Sequence, residues 1–466
     1  MNELTYESFL ALLKSIKIEL PRFELPKLKI RDLIARVPIV QGGMGVGISL
    51  SGLASAVASR GGIGVIAANG IGMIETDYFK DGRAANIRAL RSEIRKARAQ
   101  GKGIIGVNIM VALNDFEELL GAAIEERVDL IIMGAGLPIK NIPVAEIRKN
   151  NIKVAPIVST ARAADLIFKM WNRIYKDIPD AVIVEGPEAG GHLGVKEDEI
   201  DDPSLSIEKV VPEVRSLIDG YASEFHRDIP VIAAGGIYTG EDIYRIMKLG
   251  AQGVQMGTRF VATDECDADI KFKQAYVSAR KEDIGIIKSP VGLPGRAILN
   301  DFLRNAAIEK RSFNCPWQCL AGCQAEKANY CISLALNNAR RGNLARGFVF
   351  VGSNAYRVEK IVPVRELMQE LESGYMRARF ADMKESLKDF MEKIRDLRKE
   401  YQAVEVRKER VKQAYEKALA SRIGSAGKES ISRLKEEYRK TAALLTDLHL
   451  KLTERIFEAY EVLIQG

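Results

Sequence analysis

Short apolar runs rich in valine and isoleucine recur at 37–41, 64–68, 104–110, 130–134, 154–160, 181–185, 231–234 and 253–256. They are continuous rather than alternating, the pattern of strands covered on both faces in a parallel sheet. Segments with apolar residues at helical spacing separate most of them, at 50–60, 85–100, 115–126, 144–150, 162–169 and 240–249. Alternation of this kind predicts an α/β fold closed as a (β/α)8 TIM barrel rather than an open sheet. Glycines follow the strands: Gly42 and Gly43, Gly134 and Gly136, Gly186, Gly235 and Gly236, and Gly257. A glycine also ends a strand merely to turn the chain. Five such places on the carboxyl rim, where active sites of this fold lie, favour a surface that faces a ligand.

Beyond residue 370 the pattern changes: proline disappears and charged residues alternate with a periodic apolar set. Met383, Leu387, Phe390, Ile394, Leu397, Tyr401, Val404, Val411, Tyr415 and Ala418 follow a 4–3 spacing, with one step of seven. After the break at 424–427, Ile431, Leu434, Tyr438, Leu445, Leu448, Leu452 and Ile456 resume it. The spacing predicts an antiparallel α-helical hairpin with a coiled-coil seam, and its length suits a homo-oligomer. The expected organisation is a barrel with an N-terminal extension over 1–300, a cysteine-rich segment over 301–371 and the hairpin over 372–466.

Composition narrows the class. With 47% hydrophobic residues the chain buries a sizeable core. A net charge of +7 eases the approach of an acidic partner, yet no basic stripe argues for nucleic acid. No run of eighteen apolar residues predicts a membrane span. Residues 1–31 carry Glu3, Glu7, Lys14 and Lys17 among apolar ones and lack a signal-peptide profile, so a cytoplasmic location is expected.

The rim carries the candidate chemistry. Gly235 and Gly236 after the seventh strand, with Gln255, Met256, Gly257 and Thr258 closing the eighth, predict the phosphate pocket usual for this barrel. The first loop, with Gly42, Gly43 and Met44, leaves room for a flat ring, and Asn108 points a two-way amide toward the same rim. A dinucleotide fold is disfavoured, because no G-x-G-x-x-G between strand and helix has an acidic residue about 20 positions on. Of three histidines, His226 and His449 lie in charged surroundings and suit a surface role. His192 follows Gly190 and Gly191 on the loop after strand six. A lone histidine is often structural, but this one stands on the rim with few other titratable groups. It suits proton transfer beside a carbonyl or nitro group while a flavin exchanges the hydride.

Cys315, Cys319, Cys323 and Cys331 form a C-x3-C-x3-C-x7-C array. Structural zinc favours two paired knuckles spaced well apart, which this is not. An iron–sulfur cluster beside a flavin has an evident use; zinc and unligated thiols are the alternatives.

The stretches 38–44, 184–192 and 232–237 resemble the nitronate monooxygenase (2-nitropropane dioxygenase) family, which also contains the FMN-dependent enoyl-acyl-carrier-protein reductase FabK. The resemblance implies FMN contacted by Asn108, Glu185, Gly190, Gly236 and Gln255 to Thr258, with His192 as catalytic base. Many nitronate-oxidising members have Gln where this chain has Glu185. The stretches 288–298 and 352–358 and the cysteine array are similar to the FabX type, flavin and [4Fe–4S] dependent acyl-carrier-protein dehydrogenase/isomerases of unsaturated fatty-acid synthesis. That likeness implies oxidation or reduction of an acyl thioester, with acyl carrier protein as its candidate bearer; whether NAD(P)H binds is left open by the sequence. The rival expectations are a nitronate monooxygenase, an NAD(P)H:quinone-type reductase, and a redox-sensing flavoprotein that signals through its hairpin.

Overall fold

The computed structural model describes Glu7 and residues 25–308, 315, 317–323, 325–421 and 425–465. The expected N-terminal extension, Glu7 apart, and Gly424 of the hairpin break lie outside these residues. The described chain falls into two compact units, one spanning Glu24–Tyr375 and the other including Met376–Gly466.

In the first unit, β1 (Leu28–Ile30) and β2 (Leu33–Ala35) form an antiparallel hairpin. Then β3 (Ile39–Gln41), β4 (Ile63–Ala67), β5 (Ile104–Met110), β6 (Leu130–Gly134), β7 (Lys153–Val158) and β8 (Val182–Glu185) follow in order. After a two-residue strand β9 (Gly191–His192), β10 (Val231–Ala234) and β11 (Gly253–Met256) complete the set. The barrel closes in the order β10-β11-β3-β4-β5-β6-β7-β8. Its pairings are parallel, as the continuous apolar runs require, with Ala234 level with Glu185 and Met256 level with Gln41. A third sheet lies outside the barrel: β12 (Ile284–Lys288), β13 (Pro294–Ile298) and β9.

The barrel interior is packed, not hollow. Val40, Ile63, Val65, Leu130, Ile132, Ile183 and Ile232 form one buried cluster, joined by Leu28, Ile30 and Ala35 of the first hairpin. Fully burying such a side chain contributes roughly 1.5–3 kcal/mol. Gln41 is a polar exception with a full account: its Nε2 donates to the Gly42 carbonyl and its Oε1 accepts from Val65 N–H at 3.0 Å. That side chain ties β3 to β4 at the rim. Gly64 lets helix Ser51–Ser59 lie on β4, since a Cβ there would sit 1.8 Å from the Ala54 carbonyl oxygen.

Helix Ile207–Glu224, between β8 and β10, was not anticipated, and Pro212 inside it explains why. The helix expected over 162–169 runs on as Ala161–Tyr175. Its end is held by buried Trp171, whose indole N–H donates to the Pro138 carbonyl at 2.6 Å. The expected boundary at 371/372 falls inside helix Val364–Asp382. There Tyr375 is buried and meets the ring of Tyr244 edge-on at 5.3 Å.

In the second unit, helices Lys384–Ala420 and Ser425–Gln465 pair. Tyr401 meets His449, Arg407 meets Glu437 and Lys408 lies over Tyr438, so contacts climb one helix as they descend the other. The hairpin is therefore antiparallel. Leu387, Ile394, Val411, Leu448, Leu452 and Ile456 of the expected seam are buried, together with Met391, which the spacing passed over. Among the described residues no helix is long and apolar enough to cross a membrane.

Candidate active site

The carboxyl ends of the strands surround a cavity of about 310 Å³. Its wall holds every residue expected to contact a cofactor: Gly42, Gly43, Met44, Asn108, Glu185, Gly190, Gly191, Gly235, Gly236, Gln255, Met256, Gly257 and Thr258. His192 stands in the same wall.

Several glycines here are demanded by close approach. A Cβ on Gly43 would lie 2.4 Å from Asn108 Cβ, so the first loop lies against the β5 residue that faces the ligand space. A Cβ on Gly190 would lie 2.6 Å from the Val351 carbonyl carbon. The loop carrying His192 thus rests directly on the backbone of Val351, far along the chain. Arg296 of β13 clamps that loop further, its guanidinium donating to the carbonyls of Pro187 and Ala189.

His192 is fixed by the outer sheet. It pairs with Gly295, and Leu193 N–H donates to the Pro294 carbonyl at 2.9 Å. Its Nε2 lies 2.7 Å from Ser289 Oγ, and its ring meets Phe350 at 5.2 Å. Ser289 Oγ also accepts from Val291 N–H at 3.3 Å, and its second lone pair can accept from Nε2–H, the tautomer that leaves the Nδ1 lone pair free. Burial pushes His192 down to about 4, so the ring is neutral at neutral pH and able to take a proton. Glu185, at the end of β8, is pushed up to about 7 by burial. In its protonated form it offers an O–H donor, as Gln would offer N–H.

The strand ends expected to form a phosphate pocket lie together in the cavity wall, and two contacts occupy them. Thr258 Oγ1 accepts from Gly352 N–H at 3.1 Å, and Glu188 lies over Gly236, its Oε2 accepting from Ser353. Glu188 is solvent-exposed. The fit to a flavin rests on two observations: open space beside the bare backbone of Gly191 and Gly257 in the cavity wall, where a Cβ would meet no atom closer than 3.8 Å, and buried Gln255 Oε1 with no hydrogen-bond partner among the described residues.

The sequence did not single out Ser289, Phe350 or Asn69, although Phe350 and Asn69 line the cavity and Ser289 holds the histidine. Ser289 lies within the stretch 288–298 that carried a resemblance. Phe350 sits in an apolar run bounded by Gly347 and Gly352, a strand signal like those of the barrel.

The metal site expected at the cysteines is not assembled: among the described residues no group of three or more His, Cys, Asp or Glu is gathered to hold a metal ion. The segment is instead docked by backbone bonds, Asn114 N–H to the Cys319 carbonyl and Ala321 N–H to that of Ala112. Cys319 Sγ lies 3.5 Å from Ser333 Oγ. Burial raises the Cys319, Cys323 and Cys331 thiols, and the nearby Cys315 raises each further. The donor set, four thiols, nevertheless suits a [4Fe–4S] cluster.

Barrel and rim together define an oxidoreductase of the FMN type. A family model described as nitronate monooxygenase matches residues 27–121 and 91–374. The chain belongs to the nitronate monooxygenase family. FabK from Thermotoga maritima is similar in structure, with a TM-score of 0.57, 30% identity and coverage of 76% of this chain and 96% of that one. The (3aS,4S,5R,7aS)-5-hydroxy-7a-methyl-1-oxo-octahydro-1H-indene-4-carboxyl-CoA dehydrogenase of Rhodococcus jostii is 28% identical over 268 residues, 58% of this chain and 64% of that relative's length. A probable nitronate monooxygenase of Staphylococcus haemolyticus is 27% identical over 310 residues, 59% of this chain and 78% of its own.

Proposed function

We propose that the chain is an FMN-dependent oxidoreductase of acyl thioesters, of the acyl-carrier-protein dehydrogenase/isomerase or enoyl-reductase type. The observation that carries this is a neutral His192 in the wall of a glycine-lined cavity, its Nε2 held 2.7 Å from Ser289. A thioester acidifies its α-carbon, and His192 takes or returns that proton. FMN, bound by the glycine loops with Asn108, Glu185 and Gln255, would supply hydride transfer at N5. Backbone N–H groups of the glycine loops orient and polarise the thioester carbonyl. The Rhodococcus relative, a carboxyl-CoA dehydrogenase, supports a thioester. Cys315, Cys319, Cys323 and Cys331 would hold a [4Fe–4S] cluster, and the hairpin would mediate self-association. Nitronate oxidation is the second reading, favoured by the staphylococcal relative and served by the same base.

Anaerobic assay of acyl-carrier-protein thioesters against nitronates separates the two. His192→Ala should keep FMN while thioester turnover falls roughly 10²–10⁴-fold. Full activity in that variant would remove His192 from the chemistry.

A further inference from the structure

One side of the C-terminal hairpin carries two stripes of unpaired charge. On the arm Lys384–Ala420, Glu405, Glu409, Lys412 and Glu416 fall at i, i+4, i+7 and i+11, the spacing of one helix face. On the arm Ser425–Gln465, Lys428, Ser432, Lys435 and Arg439 repeat that spacing without an acidic residue. All of these side chains are exposed. Lys408 over the Tyr438 ring and Tyr401 against His449 border both stripes and place them on the same side. Arg407 and Glu437, paired at 2.8 Å, mark the other side and fix the register. Since the arms run antiparallel, Glu405 stands level with Arg439, Glu409 with Lys435, Lys412 with Ser432 and Glu416 with Lys428. On the other side Arg433 and Lys440 are also paired, with Glu429 and Glu436. The charges of the two stripes, though level, form no ion pair among the described residues.

We propose that this side of the hairpin is where a second copy of the chain docks, the two related by a twofold axis parallel to the arms. That rotation lays the first arm of each copy on the second arm of the other without changing height. Glu405 then meets Arg439, Glu409 meets Lys435 and Glu416 meets Lys428, each contact made twice, as in any isologous interface. Lys412 falls on Ser432, the one uncharged place among those four positions of the basic stripe. A twofold axis across the arms would instead set acidic stripe on acidic stripe, so the charges choose the symmetry. Ala442 and Thr446 continue the basic stripe with small side chains, which lets another helix approach. The inference rests on the reading that the hairpin self-associates. It adds the face, the symmetry and the residues that select the partner.

The test is sedimentation velocity of the flavin-loaded full chain with two charge-reversed forms. One carries Glu405→Lys, Glu409→Lys and Glu416→Lys; the other carries Lys428→Glu, Lys435→Glu and Arg439→Glu. Each form alone sets like charges together and should dimerise about tenfold more weakly than wild type, or worse. Their equimolar mixture restores opposite charge at every contact and should regain the wild-type affinity, which also shows that both forms fold. Should either lose helix content by circular dichroism, Glu405→Gln, Glu409→Gln and Glu416→Gln together remove charge without repulsion and should still weaken the dimer. Raising salt from about 0.1 to 0.5 M should weaken the wild-type dimer as well, since exposed charges are screened. A dimer indifferent to both reversals, or a mixture that fails to re-associate, overturns this face and leaves self-association standing. Wild-type chain that sediments as a monomer overturns both and leaves the stripes to a different partner.

Discussion

The imidazole of His192 and the hydroxyl of Ser289 meet at 2.7 Å although 97 positions separate them in the chain. The hairpin β12–β13 makes the meeting possible, because β13 pairs with His192 while the turn before it carries Ser289. Ser289 is a positioning residue: it holds the ring, and the ring faces the cavity.

Ser289→Ala should therefore lower kcat by about tenfold or more, less than the loss at His192 itself. Bound flavin should be unchanged, and Ser289→Thr should restore most of the rate and the pH profile. Steady-state kinetics with flavin quantification checks this; an unaltered kcat in the alanine variant would remove the positioning role.

Glu185 makes stability depend on pH. The folded chain keeps its proton up to about pH 7, whereas the ordinary carboxyl releases it near 4.5. Between those values the folded state binds more protons than the unfolded one, so stability falls as pH rises through the window. Glu185→Gln is neutral throughout and lacks this fall. Thermal scans of flavin-free protein should show the variant gaining in Tm over wild type from about pH 4.5 to 7, then holding a constant lead. Parallel curves across the window would contradict the burial argument.

Adjacent glycines on the histidine loop should respond differently. Gly190→Ala drives a Cβ to 2.6 Å from the Val351 backbone, which must shift, so loss of flavin and destabilisation of about 1–3 kcal/mol or more are expected. Gly191→Ala meets no atom within 4 Å and is strained only through its φ of +82°, a cost of about 1–2 kcal/mol. Flavin retention and Tm, compared between the two, read out the difference.

The cysteine segment is tested by metal content. Protein purified without oxygen should carry about four irons and four sulfides per chain, and Cys319→Ser should lose them. Flavin should remain, since its cavity is built from the strand ends and the first loop. Zinc in place of iron would leave the segment a structural clip.

Much of the barrel was legible because buried parallel strands write themselves as continuous apolar runs: Ile104–Met110, Leu130–Gly134, Val231–Ala234 and Gly253–Met256 stand where the pattern put them. The rim glycines were legible too, through their repetition after successive strands. Helix Ile207–Glu224 was masked by Pro212, whose effect depends on packing that a linear pattern does not carry. Ser289 and Phe350 escaped for a different reason. Neither belongs to a barrel strand, and their place beside His192 comes from tertiary pairing of the outer sheet, which no local periodicity encodes.

That outer sheet divides responsibility within the molecule. The walls suited to a flavin are strand ends and loops of the closed barrel, while the titrating ring hangs on a three-stranded ribbon beside it. Most of that wall and the ring of His192 are thus held by separate pieces of backbone, which meet at Gly191. Changes along 284–298 can shift the ring of His192, which pairs with Gly295, while the barrel strand ends stay in place.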